Sequence, residues 1–128
     1  MSFTFTVDHE HRRVTARAVG PITLDDIRNH LDEERGKSGL SYSELIDARG
    51  AVASFSTAEV RTIVNLLRRL GEGARLGPTA IVIDSDVGYG MLRMLGILLE
   101  IEHVCSLEPF RRPKDAERWL ADDRQGND

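Results

Sequence analysis

The chain opens on a strict alternation, Phe3-Thr4-Phe5-Thr6-Val7, the period of a strand buried on one face. Polar residues from Asp8 to Arg12 break it, and Val14-Thr15-Ala16-Arg17-Ala18-Val19 takes it up again. Two such runs across a short polar turn predict an antiparallel hairpin, and Gly20-Pro21 punctuates its end. The period then lengthens. Leu24, Ile27 and Leu31 mark the buried stripe of a first helix, with Thr23 as its N-cap. Asp25 and Asp26 load a first turn where the helix dipole favours negative charge. Ile22 and Ile27 have the spacing of a hydrophobic staple, and Gly36 with Gly39 ends the element. Leu45-Ile46-Asp47-Ala48, preceded by Tyr42, reads as a short third strand.

A second helix starts at Ser56, where Glu59 completes a capping box and Phe55 with Val60 has staple spacing. Val60, Ile63, Val64, Leu67 and Leu70 hold one face, Arg61, Arg68 and Arg69 fall away from it, and Gly71 with Gly73 closes it. After Gly77-Pro78, Thr79-Ala80-Ile81-Val82-Ile83 has no alternation, the pattern of a central parallel strand buried on both faces. Asp84-Ser85-Asp86 follows, with Asp86 as the expected N-cap of a third helix from Val87 to Glu102. Val87, Met91, Leu95 and Leu98 can supply that helix's core stripe. His103 to Leu107 reads as a fifth strand, and Pro113 sits at a favoured first-turn position for a fourth helix carrying Ala116, Trp119 and Leu120.

This order predicts one α/β domain over residues 1–121, followed by a polar, frayed tail over 122–128. The expected sheet is single and mixed, with about five strands: an antiparallel N-terminal hairpin, then parallel crossovers carrying four helices. Composition agrees, since 41% hydrophobic and 30% charged residues suit a packed core rather than a disordered chain. The single cysteine, Cys105, excludes an internal disulfide and fits a buried structural thiol in a reducing, cytoplasmic compartment. With 17 basic against 21 acidic residues and a net charge of -4, nucleic acid is not the expected partner. The apolar segment from Val87 to Leu99 is broken by Arg93 and falls short of the ~20 residues a membrane span needs. The N-terminus lacks the basic-then-apolar layout of an export signal.

Catalytic and metal motifs are missing from the sequence pattern. His9 and His11 flank Glu10, but no further His or Cys stands at ligand spacing, so no metal is expected. Gly88-x-Gly90 lacks the third glycine of a dinucleotide fingerprint. The neighbours Asp25-Asp26 and Glu33-Glu34 do not face each other on a helix, and no triad signature appears. The expectation is a non-enzymatic protein with no cofactor.

The binding candidates gather on the third helix. Arg93 is the only charge between Val87 and Leu99, and Tyr89 lies four residues before it on the same face. Such an arginine can hold an anionic ligand or a partner carboxylate, or lay its stem over apolar surface with the guanidinium in water. Asp84 and Asp86 stand at the carboxyl end of the fourth strand, where open α/β sheets bind ligands. Met94 and Ile97, with Leu92, Leu99 and Tyr89, add apolar surface beyond one stripe, and the surplus must meet a neighbouring helix, a ligand, a lipid surface or a second subunit. Arg61, Arg68 and Arg69 would give that surface a basic rim suited to an acidic partner or an anionic membrane.

Several of these patterns in combination resemble the SpoIIAA-like family, a branch of the STAS-domain group. They are Ile46-Asp47 at the end of the third strand, Ala80-Ile81-Val82 in the fourth, and Tyr89-Gly90-x-x-Arg93-Met94 opening the third helix. Phe110 followed by Ala116-x-x-Trp119-Leu120 completes the likeness, which runs from Thr4 to about Ala121. The resemblance implies a STAS-like fold and a non-catalytic role: regulatory protein contact, binding of a small apolar or anionic ligand, or, as the alternative, peripheral membrane association. Partner-switching STAS proteins carry an Asp-Ser-Ser-Gly-like turn at the start of the second helix, and its serine is phosphorylated. Here that turn reads Ala53-Ser54-Phe55-Ser56-Thr57-Ala58, without the aspartate or the glycine. Ser56 is the candidate phosphoacceptor, and its spacing to Glu59 and Phe55 favours a plain helix cap.

Overall fold

The computed structural model describes residues 2–73 and 75–126. The opening alternation forms the hairpin β1 (Ser2–Asp8) and β2 (Arg13–Pro21), antiparallel with Phe5 opposite Ala16 and Asp8 opposite Arg13. Then follow α1 (Leu24–Gly36), β3 (Ser43–Asp47), the two-residue β4 (Ala51–Val52), α2 (Thr57–Gly73) and β5 (Thr79–Val82). The chain ends with α3 (Asp86–Ile101), β6 (Leu107–Phe110) and α4 (Pro113–Gly126). The strand order is β1-β2-β3-β5-β6, with β4 pairing onto the end of β2. Every pairing after the hairpin is parallel. The single mixed sheet with an N-terminal hairpin and four helices is thus present, and β4 is a sixth strand that its length hid from the periodicity.

The two faces of the sheet are filled differently. On one, Ala16, Ala18, Ile46, Ala48, Ile81 and Ile83 meet Leu24 and Ile27 of α1, Val60, Ile63 and Val64 of α2, and Leu92, Leu95 and Leu99 of α3. On the other, Ala80 and Val82 pack against Ala116 and Leu120 of α4, flanked by Leu45, Phe110 and Trp119. Ala80, Val82, Ala116 and Leu120 are all fully buried, so β5 is covered on both sides as its unbroken run predicts.

Caps set the helix starts. Thr23 accepts from Asp26 N and Asp26 reaches back to Thr23 N, a full capping box for α1. Ser56 and Glu59 make the same reciprocal pair at α2, at 3.1 and 3.0 Å. At α3 the cap is Ser85, whose hydroxyl accepts from Gly88 N at 3.0 Å, and not Asp86. A capping side chain bonds the amide two or three residues on, and Asp86 is already the first helical residue, free to point outward.

Three other expectations change. Residues 103–106 form a turn rather than a strand: His103 adopts φ +57° and Val104 N returns to Leu99 O, closing α3 before the chain enters β6 at Leu107. The buried face of α3 runs through Gly88, Leu92, Leu95, Gly96 and Leu99, while Val87 is 73% exposed. The rotation follows from two close approaches. A Cβ on Gly96 would fall 2.2 Å from Leu107 O, and one on Gly88 would fall 2.7 Å from Ser85 Oγ. Helix α4 continues to Gly126, into the stretch expected as a tail; residues 127 and 128 lie outside the described residues.

Two variants test this packing. Gly96→Ala should lower stability by roughly 1–3 kcal/mol, because the added carbon meets backbone that cannot rotate away. Ser56→Ala should cost about 1 kcal/mol, and Ser56→Asp should stay within a few tenths of wild type because aspartate also caps. Urea denaturation monitored by circular dichroism measures both.

Candidate functional site

The most buried side chains of α1 are not its leucines. Leu24, Ile27 and Leu31 are only half-buried, whereas His30 and Glu34, one helical turn apart, are 6% and 4% exposed. Both face Glu44 of β3, itself 6% exposed, on the sheet face that α1 covers. His30 Nε2 lies 2.8 Å from Glu44 Oε2 and 3.3 Å from Glu34 Oε2. From β1, Phe3 stacks on the imidazole at 4.0 Å and Phe5 meets it edge-on at 4.9 Å. Lys37, just past α1, sits 4.9 Å from the centre of the Phe5 ring.

The electrostatics follow from this packing. Burial disfavours the imidazolium, but hydrogen bonds and charge from Glu34 and Glu44 outweigh it and raise His30 to about 9. Burial pushes Glu44 up to about 8; His30 opposes the rise and the neighbouring Glu34 carboxyl adds to it. Two carboxylates this close in a dry site do not both ionise. At neutral pH the packing therefore favours the His30 imidazolium beside a protonated Glu44. Among the described residues, His30 Nδ1 has no hydrogen-bond partner, and Glu34 Oε2 has only the 3.3 Å approach of His30 Nε2. The same side chains offer one nitrogen and two carboxylate oxygens within 4.8 Å of one another, a donor set a divalent cation can use if it displaces the protons.

This cluster forms one wall of a cavity of about 150 Å³ between the sheet and helices α1, α2 and α3. Ile22, Phe55, Ile63, Leu67, Ile81 and Leu95 supply much of the lining, and Ala18, Ala48 and Ala51 leave the room. Tyr42 closes one side and hydrogen-bonds His9 in the exposed hairpin turn at 2.8 Å. Gly77 lets the chain pass there, since a Cβ would sit 2.1 Å from Tyr42 O. Cys105 also lines the cavity, and burial pushes its thiol up to about 11, which disfavours the thiolate.

The residues singled out from sequence lie elsewhere. Asp86 and Tyr89 are brought together by Arg111, which bonds Asp86 Oδ1 at 2.6 Å and stacks over the Tyr89 ring at 4.6 Å. Arg93 lies one helical turn beyond Tyr89 on α3. With Ile97, Glu100 and Trp119, Arg93 lines a groove of about 340 Å³ beside β6. Met94 and Ile97 are 41% and 47% exposed, whereas Leu92 and Leu99 are buried. Arg61 and Arg68 both pair with Glu102 at the end of α3, and Arg69 is exposed. Ser56 is an exposed cap. His9 and His11 are exposed, the latter bonded to Asp8 at 2.7 Å, and they do not converge on a site. Asp47 is gripped by Arg49 through both oxygens, which holds its carboxyl below the usual range.

None of the three clustered residues stands out in the sequence. The i, i+4 spacing of His30 and Glu34 was the available signal; Glu44 joins them only through the packing of α1 on β3.

No family model and no curated protein matches the sequence. Among solved structures, the fold is similar to that of an uncharacterized DUF3478-family protein with a SpoIIAA-like fold from Shewanella loihica PV-4, with a TM-score of 0.61. The two chains are 16% identical over 92% of this chain and 93% of that one. The fold is therefore SpoIIAA-like.

The cluster makes stability depend on pH. His30 and Glu44 both hold protons more tightly in the folded state than their ordinary values of 6.5 and 4.5. Their contribution is complete below those values and is lost as pH rises through about 8 and 9. Stability should fall by up to about 1.4 kcal/mol per pH unit for each proton released. The urea midpoint should drop on going from neutral to alkaline pH, and Glu44→Gln should flatten that slope. A wild-type profile flat across the window would mean that the cluster does not hold these protons.

Proposed function

We propose that the protein is a non-catalytic binding module whose cavity takes a small, largely apolar molecule bearing one hydrogen-bond acceptor. The observation that carries this reading is the apolar cavity with His30 in its wall and His30 Nδ1 unpartnered. A protonated imidazole whose Nε2 is engaged by carboxyls keeps one N–H to give, so a ligand oxygen is the complement. A cavity of this size can accept a molecule as large as benzene, about six non-hydrogen atoms. A carboxylic acid, aldehyde or alcohol on a short chain or a single ring fits both demands.

Regulatory contact with another protein is the second reading, and the exposed apolar residues of α3 favour it. An anionic membrane is less well served. Glu102 already engages two of the three rim arginines.

Native mass spectrometry of freshly purified protein, followed by calorimetric titration with hexanal, hexanol and hexane, tests the cavity reading. The oxygen-bearing probes should bind at least about tenfold more tightly than hexane, the worth of one hydrogen bond from a charged donor. Ala51→Leu, which fills the cavity from β4, should abolish binding and leave the fold intact. Binding of none of the three probes, or binding that survives Ala51→Leu, would remove the cavity from consideration.

A further inference from the structure

The exposed apolar residues of α3 form a seam and not a scatter. Val87, Met94, Ile97 and Ile101 are 73%, 41%, 47% and 65% exposed, and Gly90 is exposed between the first two. Their spacing of three and four residues is an unbroken heptad pattern along the full helix. At 100° per residue, the seam lies about opposite the face that Gly88, Leu92, Leu95, Gly96 and Leu99 press onto the sheet. Nothing among the described residues covers it.

We infer that this seam pairs with the same seam of a second copy, antiparallel about a two-fold axis, and that Arg93 and Glu100 set the register. In that arrangement Met94 faces Ile97 of the partner copy and Gly90 faces its Ile101. Arg93 and Glu100 occupy the same flank of the helix, seven residues apart, and both border the groove beside β6. Antiparallel pairing places Arg93 beside the partner copy's Glu100 and Glu100 beside the partner copy's Arg93, so one surface carries both halves of its own complement. The ion pairs among the described residues include neither side chain.

Gly90 supports the same register independently. Glycine weakens an exposed helix interior, and an added Cβ there would meet nothing within 4 Å of its own chain. Gly88 and Gly96 are explained by close approach inside the fold, and Gly90 is not. Opposite Ile101 of a second copy, it is the hole for a large knob. Charge decides against lipid as the occupant. The seam is flanked by Asp86, Arg93 and Glu100, a mixed set with no basic excess to attract an anionic surface.

The test is light scattering on the full chain after size exclusion, at concentrations up to roughly 200 μM. The expected mass is about twice 14.3 kDa. Ile97→Glu should weaken the dimer at least about tenfold. Arg93→Glu and Glu100→Arg should each weaken it comparably by placing like charges together, and the double exchange should restore it to within about threefold. Restoration also shows that the exchanged chains are folded. A monomer at every concentration, a dimer indifferent to Ile97→Glu, or a double exchange no better than its parents would each overturn the proposal. So would a monomer that binds phosphatidylglycerol vesicles through Met94 and Ile97.

Discussion

The arrangement of the first half of the chain turns on one buried charge. The His30 imidazolium is held between the carboxyls of Glu34 and Glu44 and against the rings of Phe3 and Phe5, so it touches β1, α1 and β3 together. Each contact depends on the others. Without the carboxyls burial would strip the proton, and without the proton two acidic side chains would face each other in a dry site. Ring faces add attraction to a cation that water cannot reach. Removing one member strands the rest, which in buried pairs costs about 3–5 kcal/mol. This is why α1 turns a histidine and a glutamate inward while its leucines and isoleucine are only half-buried.

The same contacts shape the cavity. A helix docked through polar side chains sits where those side chains meet, not where apolar filling would be densest. Across from it the sheet presents Ala16, Ala18 and Ala48, and Ala51 of β4 adds another short side chain. Small residues under a helix fixed from elsewhere leave space that the surrounding leucines and phenylalanine do not close. Across the sheet, α4 rests on Ala80 and Val82 through Ala116 and Leu120, all of them fully buried. One side of the sheet is therefore an ordinary core and the other holds room for a guest.

Helix α3 links these interior matters to the surface. Gly96 against Leu107 and Gly88 against Ser85 decide its rotation, because a backbone oxygen and a capping hydroxyl leave no place for a side chain. That rotation buries Leu92, Leu95 and Leu99 and leaves Met94 and Ile97 outward with Val87 and Ile101. The cavity lining and the exposed seam are opposite faces of one helix, so a ligand that shifts α3 inside would be felt outside.

The periodicities alone determine the hairpin, the four helices, the doubly buried β5 and the capping of α1 and α2, because these depend on residues within a few positions of one another. Local preference misplaces what competes over longer distances. Leu107 to Phe110, not the run before it, forms the edge strand, because α3 must first be closed by the turn at His103. Asp86 gives up the cap to Ser85, since only one side chain can reach the Gly88 amide. The site shows the same division. His30 and Glu34 share a face by spacing, which any helix guarantees, but Glu44 reaches them only when β3 lies beneath α1. The raised pKa values and the cavity arise from that packing, in which residues 14 or more apart in sequence come within a hydrogen bond. Burial and charge act through space, and the chain's order does not contain them until the tertiary structure brings the groups together.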